Sequence, residues 1–501
     1  MKVSVVVPVF NTGPGIAALI DSLRAQTLPA SQWEAVFVDD GSTDDTADRV
    51  ERLIADVPNM RLLREAPSGW PGRPRNVGMD AAHGEYVFFS DDDDTLGSEA
   101  LERLAAFADA HGSDVVVPKT VGRNRGVPSI PRTVVDAQAD PALLMGTLAP
   151  QKLFRLAFLR DRGIRFQEGH FRLEDHLFVV TAYLRARRVS VYADYPCYYL
   201  AYETGRAHIS QQQPEWHGYF GSIRACLDRV DEEAVDTEQR RIMRSRWLRV
   251  EVIARLRGDG WAKLGSPELL HEAHRLLVER YDDADFHRLR TLDRLTAELV
   301  LAGRDDDIAA VARWETGLQV STVATDVRVE ADGGVRIELR SELVTTAPLP
   351  DLADPAGRLP SAEAVLQQVA AFTRIGVELQ HTGTLVRRTL RVEQRGDGVA
   401  VATPKPGDPP VEDGTWAVIA LAGEHRSRRR RPVAAARGLR VADARRTVGT
   451  RTVQFIKRPQ VALQARPVGT PNPMGLVPRV ARRLRRTVAR VLRSRRRASA
   501  G

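Results

Sequence analysis

Over the first 118 residues, segments of continuous apolar residues alternate with segments in which apolar residues recur at helical spacing. Val3–Phe10 and Ala35–Val38 are continuous apolar runs, which is typical of strands buried on both faces of a parallel sheet. Between such runs, apolar residues recur every three or four positions, which predicts amphipathic helices. Alternating strands and helices favour an open α/β sheet, and such sheets bind ligands at the carboxyl ends of their strands. The remaining strands are predicted at Met60–Leu63, Tyr86–Ser90 and Val115–Pro118.

The pattern changes twice further along the chain. From residue 215 to about residue 315, four segments have the apolar spacing of helices. Near residue 317 the period becomes two, and alternation on both sides of Gly333-Gly334 predicts a β-hairpin. Further short segments predict a β-sandwich of one or two small modules. The helical segments are Ile223–Val230, Ile242–Leu256, Pro267–Tyr281 and Leu292–Leu301, and the strand candidates are Val323–Val329, Val335–Leu339, Gly376–Leu379, Leu385–Val392, Val399–Ala402, Trp416–Leu421 and Val453–Phe455.

These patterns divide the chain into four parts. We expect a mostly parallel, Rossmann-like α/β domain over residues 1–213 and a helical linker over 214–316. A β-sandwich is expected over residues 317–465, followed by a basic amphipathic tail over 466–501.

Composition excludes several classes of protein. The chain has 501 residues, of which 43% are hydrophobic and 28% are charged, as in a globular rather than a disordered protein. No apolar run approaches the ~18 residues of a membrane-spanning helix, and Val3–Phe10 lacks the basic segment that precedes a secretory signal. Two cysteines, Cys197 and Cys226, exclude a disulfide framework. We therefore expect a cytoplasmic protein.

The charge is concentrated at the end of the chain. The formal net charge is +8, and residues 473–501 alone carry ten Arg and no Asp, Glu or Lys. We expect this segment to form a basic amphipathic helix that binds the inner membrane face or an anionic polymer; a disordered, solubilising end is the alternative. A nucleic-acid partner is not expected, because residues 474–501 contain no aromatic side chain for base stacking. The apolar face consists of Val477, Val480, Leu484, Val488 and Val491.

Four consecutive carboxylates, Asp91–Asp94, follow the predicted strand Tyr86–Ser90. They repel one another, and a divalent cation with oxygen ligands, Mn²⁺ or Mg²⁺, would relieve that repulsion. The alternative is a solvated acidic loop. A second acidic turn, Asp39-Asp40-Gly41-Ser42, ends the strand Ala35–Val38 and is suited to accept from a ribose hydroxyl or a base N–H. Its alternative role is the start of a helix, which Ser42 or Thr43 would cap.

Glu174-Asp175 lies among apolar neighbours, where a carboxylate can have a raised pKa and act as a general base. The alternative is an exposed helix N-terminus. His208, in Arg206-Ala207-His208, is a candidate metal ligand, although a single His is more often structural. Candidate phosphate contacts are Arg73, Arg75, Arg123 and Arg125.

Two other motifs carry weaker evidence. Gly13–Ala18 matches a dinucleotide-binding fingerprint, with Asp39 at about the expected distance. However, Pro14 removes an amide N–H from the phosphate cradle, and such a site has no use for Asp91–Asp94. His271–His274 is one residue too short for the zinc motif H-E-x-x-H and cannot place both His on one helical face.

Taken together and in this order, the motifs resemble those of the inverting glycosyltransferases of family 2, which have the GT-A fold. The likeness extends over about residues 2–210. Within that family, the chain is most similar to the wall teichoic acid β-glycosyltransferases of Gram-positive bacteria, some of which append a helical linker and β-sandwich modules that trimerise. The segments that carry the likeness are Val3–Asn11, Val38–Asp44, Pro74–Gly78, Glu85–Asp94, Leu173–Phe178, Lys119…Arg123…Gly126 and Tyr202…His208…Ser210.

The resemblance implies a UDP-sugar donor and assigns residues to it. Asp40 would bind the uracil imide, with Pro8 and Phe10 lining the base pocket. Asp91 would reach the ribose and Arg75 would lie near the nucleotide or the phosphates. Asp92 occupies a position that is often neutral in the family, so which of the four carboxylates contacts the metal stays open.

The resemblance also implies a catalytic group and a metal site. Asp175 would be the general base, with Glu174 beside it, and Asp93 with His208 would hold Mn²⁺ or Mg²⁺. Arg123 and Arg125 would contact phosphate or an anionic acceptor. These features imply transfer of a sugar, with N-acetylglucosamine as first choice, to a cell-wall polymer or lipid-linked acceptor at the inner membrane face by an enzyme that forms a homo-oligomer.

A non-catalytic adaptor is the main alternative. In that case a sugar-nucleotide fold without activity would carry a β-sandwich that binds polymer. An adaptor has no need for Asp40, Asp93 and Asp175 together, so the enzyme is favoured.

Overall fold

The protein forms two compact units in the computed structural model. One comprises Met1–Thr316 with Pro350–Pro360, and the other comprises Gly317–Leu349 with Ser361–Gly501. The structure describes residues 1–123, 127, 130, 132–201, 213–329, 335–345, 349–352, 359, 363, 365, 374–381, 387–394, 399–403, 414–423, 429–432, 434–435, 445–448, 451–457 and 461–467.

An eight-stranded sheet forms the centre of the first unit. Its order is β3-β2-β1-β4-β7-β6-β8-β5. β1 pairs in parallel with β2 and β4, and β2 pairs in parallel with β3, so the carboxyl ends of four strands lie at one edge. The strands are β1 (Val3–Val9), β2 (Trp33–Asp39), β3 (Met60–Arg64), β4 (Tyr86–Phe89), β5 (Thr95–Leu96), β6 (Val115–Gly122), β7 (Leu153–Arg155) and β8 (Val189–Leu200).

Within the described residues, seven α-helices accompany this sheet. Every residue of β2 and β4 is buried, which explains their mostly apolar character; Glu34, a buried carboxylate in β2, is paired with Arg61. In α1, the residues Ile16, Leu19, Ile20 and Leu23 pack into the same core, as their spacing predicts. The helices are α1 (Ile16–Arg24), α2 (Thr46–Ile54), α3 (Gly72–Ala81), α4 (Ala100–His111), α5 (Pro141–Leu144), α6 (Leu156–Asp161) and α7 (Glu174–Arg185).

The helical part that follows contains one departure from the predicted pattern. Ile242–Leu256 is not a single helix: α9 ends at Trp247, a π-helical turn spans Leu248–Val252, and a 3-10 turn follows. The turn places the carboxylate of Glu251 in the interior, where it accepts from Tyr219 and pairs with Arg246 and Arg255. The helices are α8 (Trp216–Glu233), α9 (Thr237–Trp247), α10 (Gly258–Leu264), α11 (Pro267–Arg280), α12 (Asp283–His287), α13 (Thr291–Leu301) and α14 (Asp305–Gly317).

The second unit is built from β-strands, in agreement with the period-two pattern. β9 and β10 form the predicted antiparallel hairpin, with a register shift between Glu338 and Leu339. The path β16-β9-β10-β13-β12-β11-β14-β19-β18-β17 folds back on itself, because β9 also contacts β14, β17 and β18. The strands are β9 (Leu318–Val329), β10 (Val335–Thr345), β11 (Arg374–His381), β12 (Arg387–Gln394), β13 (Val399–Thr403), β14 (Gly414–Gly423), β15 (Arg429–Pro432), β16 (Ala434–Ala435), β17 (Arg445–Val448), β18 (Arg451–Lys457) and β19 (Val461–Pro467).

The predicted fold class is therefore confirmed: a mostly parallel α/β domain, a helical region and a β-rich C-terminal part. Over the residues that the structure describes, no helix combines the length and apolar character needed to cross a bilayer. The predicted tail helix, 466–501, lies almost entirely outside the described residues.

Candidate functional site

The loops that follow β1 and β2 are joined by Asn11. Its backbone has φ 48°, the left-handed region that Asn tolerates better than most residues. Its side-chain Oδ1 accepts from the backbone N–H of Thr43 at 2.8 Å, and its backbone N–H donates to Ser42 Oγ at 3.1 Å. Two strand ends are therefore held together by one residue, which the sequence analysis named only as the end of the segment Val3–Asn11.

The same loop is also joined to the acidic segment after β4. Thr12 Oγ1 donates to Asp92, and the amide of Phe10 donates to the same carboxylate at 3.4 Å. The Phe10 residue is 47% exposed, whereas Pro8 is half-buried in β1. Both residues thus lie at the carboxyl end of a central strand, and their role in a base pocket stays a prediction.

The dinucleotide fingerprint does not form a phosphate cradle. Gly13–Gly15 is a 3-10 turn, and the Gly13 amide already donates to Thr46 Oγ1 at 2.8 Å. With this amide engaged and Pro14 lacking one, the turn has few N–H groups to offer a pyrophosphate.

The two carboxylates after β2 hold neighbouring loops. Asp39 accepts from the amide and hydroxyl of Ser42, so Ser42 does not cap α2 as expected; α2 begins at Thr46. Asp40 is buried and accepts from the Ser68 amide and hydroxyl, both at 2.9 Å, and from the Gly69 amide at 3.2 Å. A carboxylate has about four acceptor sites, so a base N–H remains a possible further donor to Asp40.

Each of the four consecutive aspartates has a different environment. Asp91 accepts from Arg75 Nη2 at 3.0 Å and from Gln151 Nε2. Asp94 is buried and accepts from the Tyr198 hydroxyl at 2.8 Å and the Ala201 amide at 2.7 Å. Asp92 is held by the β1 loop, and Asp93 is partly exposed among the other three.

Crowded negative charge in this segment fits a divalent cation. Burial and the charges of Asp91 and Asp93 raise the pKa of Asp94. Oxygen donors are the ligands that Mn²⁺ and Mg²⁺ prefer. His208, the other predicted ligand, lies outside the described residues, and the part of the chain that the structure describes has no cluster of three or more His, Cys, Asp or Glu arranged to hold a metal.

Arg75 links the acidic segment to the predicted base motif. It lies in α3 and is buried, with Nη1 donating to Glu174 Oε1 and Nη2 donating to Asp91 Oδ1, each at 3.0 Å. Burial lowers the pKa of Arg75, but the charges of Asp91, Glu174 and Asp175 outweigh it and raise that pKa. The guanidinium therefore stays charged and holds two loops in a fixed relation.

Glu174 and Asp175 form the first turn of α7. Glu174 is buried rather than exposed, and it also accepts from Trp70 Nε1 at 3.0 Å. Burial and the charge of Asp175 raise the pKa of Glu174, and Arg75 opposes them. Asp175 is partly buried, and burial raises its pKa while Arg75 and the His176 amide lower it. The net result is a raised pKa for Asp175, and so an enhanced basicity that suits a general base.

Two of the remaining predicted cations, Arg73 and Arg123, have partners other than the carboxylates at this centre. Arg73 pairs with Glu65 at 2.9 Å. The guanidinium of Arg123 lies over the Tyr199 ring, 4.7 Å from its centroid, at the end of β6. Arg125 lies outside the described residues.

Four site residues were missed by the sequence analysis: Trp70, Gln151, Lys152 and Tyr198. Gln151 and Lys152 immediately precede β7, which is too short for its pattern to be recognised. Lys152 is only 1% exposed, and burial lowers its pKa to about 7. Trp70 was detectable only as an aromatic residue ahead of the Pro-Arg-Asn segment.

Two protein families match the chain. Residues 4–192 match the family described as Glycosyl transferase family 2, and this range contains the acidic turn after β2, Arg75, Asp91–Asp94 and Glu174-Asp175, but not Tyr198. Residues 216–312 match the family described as Glycosyl transferase TarS linker domain, which corresponds to the helical region.

Two named proteins are similar in sequence to part of this chain. The chain is 37% identical over 245 residues to a poly(ribitol-phosphate) beta-glucosyltransferase of Bacillus spizizenii, covering 48% of this chain and 38% of that protein. It is 41% identical over 214 residues to the poly(ribitol-phosphate) beta-N-acetylglucosaminyltransferase TarS of Staphylococcus aureus, covering 42% and 37%. The aligned part thus spans less than two fifths of each of these two relatives.

Solved structures agree with both comparisons. The chain resembles S. aureus TarS 1-349 in complex with UDP-GlcNAc with a TM-score of 0.56 and 29% identity, covering 67% of this chain and 96% of that one. Another crystal structure of S. aureus TarS covers 93% of this chain and 86% of that one with a TM-score of 0.56; at 21% identity it supports the fold alone. The chain therefore carries a domain of glycosyltransferase family 2 over residues 4–192 and a linker of the TarS type over residues 216–312.

Proposed function

We propose that this chain transfers a sugar from a UDP-sugar to a hydroxyl of poly(ribitol phosphate), with inversion at the anomeric carbon. The observation that carries the proposal is the network in which Arg75 joins Glu174, beside Asp175, to Asp91 of the acidic segment. This network brings a candidate base and a candidate diphosphate site to the same edge of the sheet, at the carboxyl ends of its parallel strands.

The proposed reaction is a single in-line displacement. Asp175 takes the proton from the acceptor hydroxyl as that oxygen attacks the sugar C1, and an α-linked donor gives a β-linked product. Arg75 and Glu174 hold the base in position. Asp93 and His208 are the proposed ligands of Mn²⁺ or Mg²⁺, whose chemistry there is to neutralise the leaving diphosphate.

The donor is proposed to lie along the ends of β1, β2 and β4. Pro8 and Phe10 line the base pocket, Asp40 accepts from the uracil imide, and Asp91 and Asp92 face the ribose side. Arg123 and Arg125 are proposed to contact the anionic acceptor.

N-acetylglucosamine is the proposed donor sugar, supported by the likeness to the TarS chain that binds UDP-GlcNAc. The Bacillus relative is named a glucosyltransferase, which makes glucose the competing choice. Both relatives are named for poly(ribitol phosphate), which supports that acceptor.

The testing experiment offers UDP-GlcNAc and UDP-glucose separately, with purified poly(ribitol phosphate), in Mn²⁺ and again in EDTA. We expect metal-dependent transfer from one donor and a β-linked product by NMR. An α-linked product would contradict the inverting mechanism, and UDP binding without transfer from either donor would favour the polymer-binding adaptor.

Two further properties belong to the proposal. The Arg-rich tail is proposed to hold the enzyme at the inner membrane face.

The C-terminal region is proposed to form a homo-oligomer, a trimer by likeness to its family. Light scattering coupled to size exclusion tests this assembly, and a monomer at micromolar concentration would contradict it.

A further inference from the structure

Trp70 lies on a short segment that connects the two halves of the site. Ser68 and Gly69, just before it, donate three hydrogen bonds to Asp40, the proposed uracil ligand. The indole N–H of Trp70 donates to Glu174 Oε2 at 3.0 Å, next to the proposed base. The indole is therefore fixed between the donor pocket and Asp175.

The surroundings of this ring suit a carbohydrate or polyol. The indole keeps part of its surface exposed, and the exposed ring of His170 lies 5.5 Å away, tilted by 55°. The guanidinium of Arg172 lies 5.8 Å from the Trp70 ring centroid. An aromatic face with polar groups at its edge is the usual lining of a site that binds a ligand with both C–H and hydroxyl surfaces.

The hydrogen bond to Glu174 also restricts the indole before any ligand arrives. A rigid aromatic side chain loses little conformational entropy when it packs against a ligand. The N–H edge of the ring is bonded to Glu174, the neighbour of Asp175, so the indole lies beside the carboxylate that would take the proton of the acceptor hydroxyl.

We propose that Trp70 forms one wall of the acceptor subsite, where its ring packs against the C–H face of the ribitol unit that presents its hydroxyl to Asp175. This inference rests on the proposed function, because it needs a polyol acceptor. It assigns to Trp70 the binding of the acceptor rather than that of the nucleotide.

The test compares wild type with Trp70→Ala and Trp70→Phe. Each protein is titrated by calorimetry with UDP, and then with a short ribitol phosphate oligomer in the presence of UDP; transfer is measured at varied oligomer concentration. Phe keeps a ring but lacks the N–H donor, so it separates packing from the hydrogen bond to Glu174. The UDP titration also reports whether each variant is folded.

We expect Trp70→Ala to raise the oligomer Kd and KM at least about tenfold, which corresponds to ~1.4 kcal/mol. Its UDP affinity should stay within about twofold of wild type, and Trp70→Phe should keep the oligomer Kd within about threefold. Unchanged oligomer affinity in Trp70→Ala, or equal losses in both variants, would overturn the subsite. A wild type that binds UDP but not the oligomer would overturn the proposed acceptor as well, whereas normal transfer by Trp70→Ala would overturn the subsite alone.

Discussion

Asp175 illustrates how the fold produces chemistry at the scale of one residue. Burial raises its pKa, and the buried guanidinium of Arg75 lowers it, so the carboxylate is basic but still ionised near neutral pH. Its apolar sequence neighbours made this environment predictable. Arg75 was predicted as a phosphate contact, and the structure adds that two of its nitrogens are already engaged with Glu174 and Asp91. A bridge of this kind needs side-chain geometry and is not visible in a sequence.

Asp175→Asn tests the base directly. The amide keeps the shape of the side chain but cannot accept a proton, so kcat should fall by at least ~10²-fold while UDP affinity is largely retained. Steady-state kinetics and calorimetry measure the two quantities. Asp161→Asn, at an exposed carboxylate on α6, is the matched control and should be normal. Near-normal turnover of Asp175→Asn would remove this residue from the base role.

Lys152 gives a second residue-scale prediction, on stability. Its ammonium lies 1% exposed, bonded to the Ala149 carbonyl, and its pKa is lowered to about 7 from 10.5. Between these values the unfolded chain binds the proton and the folded protein does not, so stability rises with pH above about 7. Lys152→Met removes this dependence but leaves the Ala149 carbonyl unpaired, which costs stability at every pH.

Urea unfolding at pH 6 and pH 9 measures the Lys152 effect. Wild type should gain at least ~1 kcal/mol relative to Lys152→Met between the two values. Lys263→Met, at an exposed lysine in α10, should show no such difference from wild type. An equal pH response in wild type and Lys152→Met would show that the buried amine does not lose its proton on folding.

At the scale of elements, prediction succeeded where one pattern extended over a whole strand or helix. β1 and β2 were predicted within a few residues, and α1 buries its apolar positions as the helical spacing between the two runs predicts. β5 and β7 have two and three residues, too few to show a period. The apolar spacing also continues through Leu248–Val252, which hides the π-helical turn that brings Glu251 to Arg246 and Arg255. A π-helical turn of this kind depends on ion pairs that exist only in the folded chain, so the apolar spacing does not predict it.

Asn11 tests whether the loop connections support the site. Asn11→Gly permits the same positive φ but removes the side-chain hydrogen bonds to the β2 loop, so UDP affinity should fall about fivefold, the effect of losing ~1 kcal/mol of hydrogen bonding. Asn11→Ala should lose the same bonds and also destabilise the fold by ~1 kcal/mol or more, since Ala disfavours this conformation. Calorimetry and urea unfolding separate the two effects. Wild-type UDP affinity in Asn11→Gly would mean that this bridge does not organise the pocket.

At the scale of the whole molecule, the family matches assign residues 4–192 to glycosyltransferase family 2 and residues 216–312 to the TarS linker, and both ranges lie in the first unit. The change from helical to period-two spacing near residue 317 coincides with the boundary after Thr316. The four-part division of the chain stays a prediction, as do the number of sandwich modules and the role of the tail. Paired contacts such as Trp70 with Glu174 involve residues about one hundred positions apart, beyond the reach of local patterns.

Deletion of residues 474–501 tests the tail at this scale. Ten Arg should bind anionic lipid, so wild type should pellet with phosphatidylglycerol vesicles and the truncated chain should not. Binding should weaken at high salt and should be absent with phosphatidylcholine vesicles. Equal pelleting of both forms would contradict a membrane role for the tail.

Calorimetric titration of the intact chain with UDP, GDP, CDP and NAD, each in Mn²⁺ and again in EDTA, tests the central claim most directly. Selective UDP binding that requires the divalent cation is the predicted result, because Asp40 is proposed to read the uracil and the acidic segment to hold the metal. NAD binding without metal, or no nucleotide binding at all, would contradict the sugar-nucleotide site.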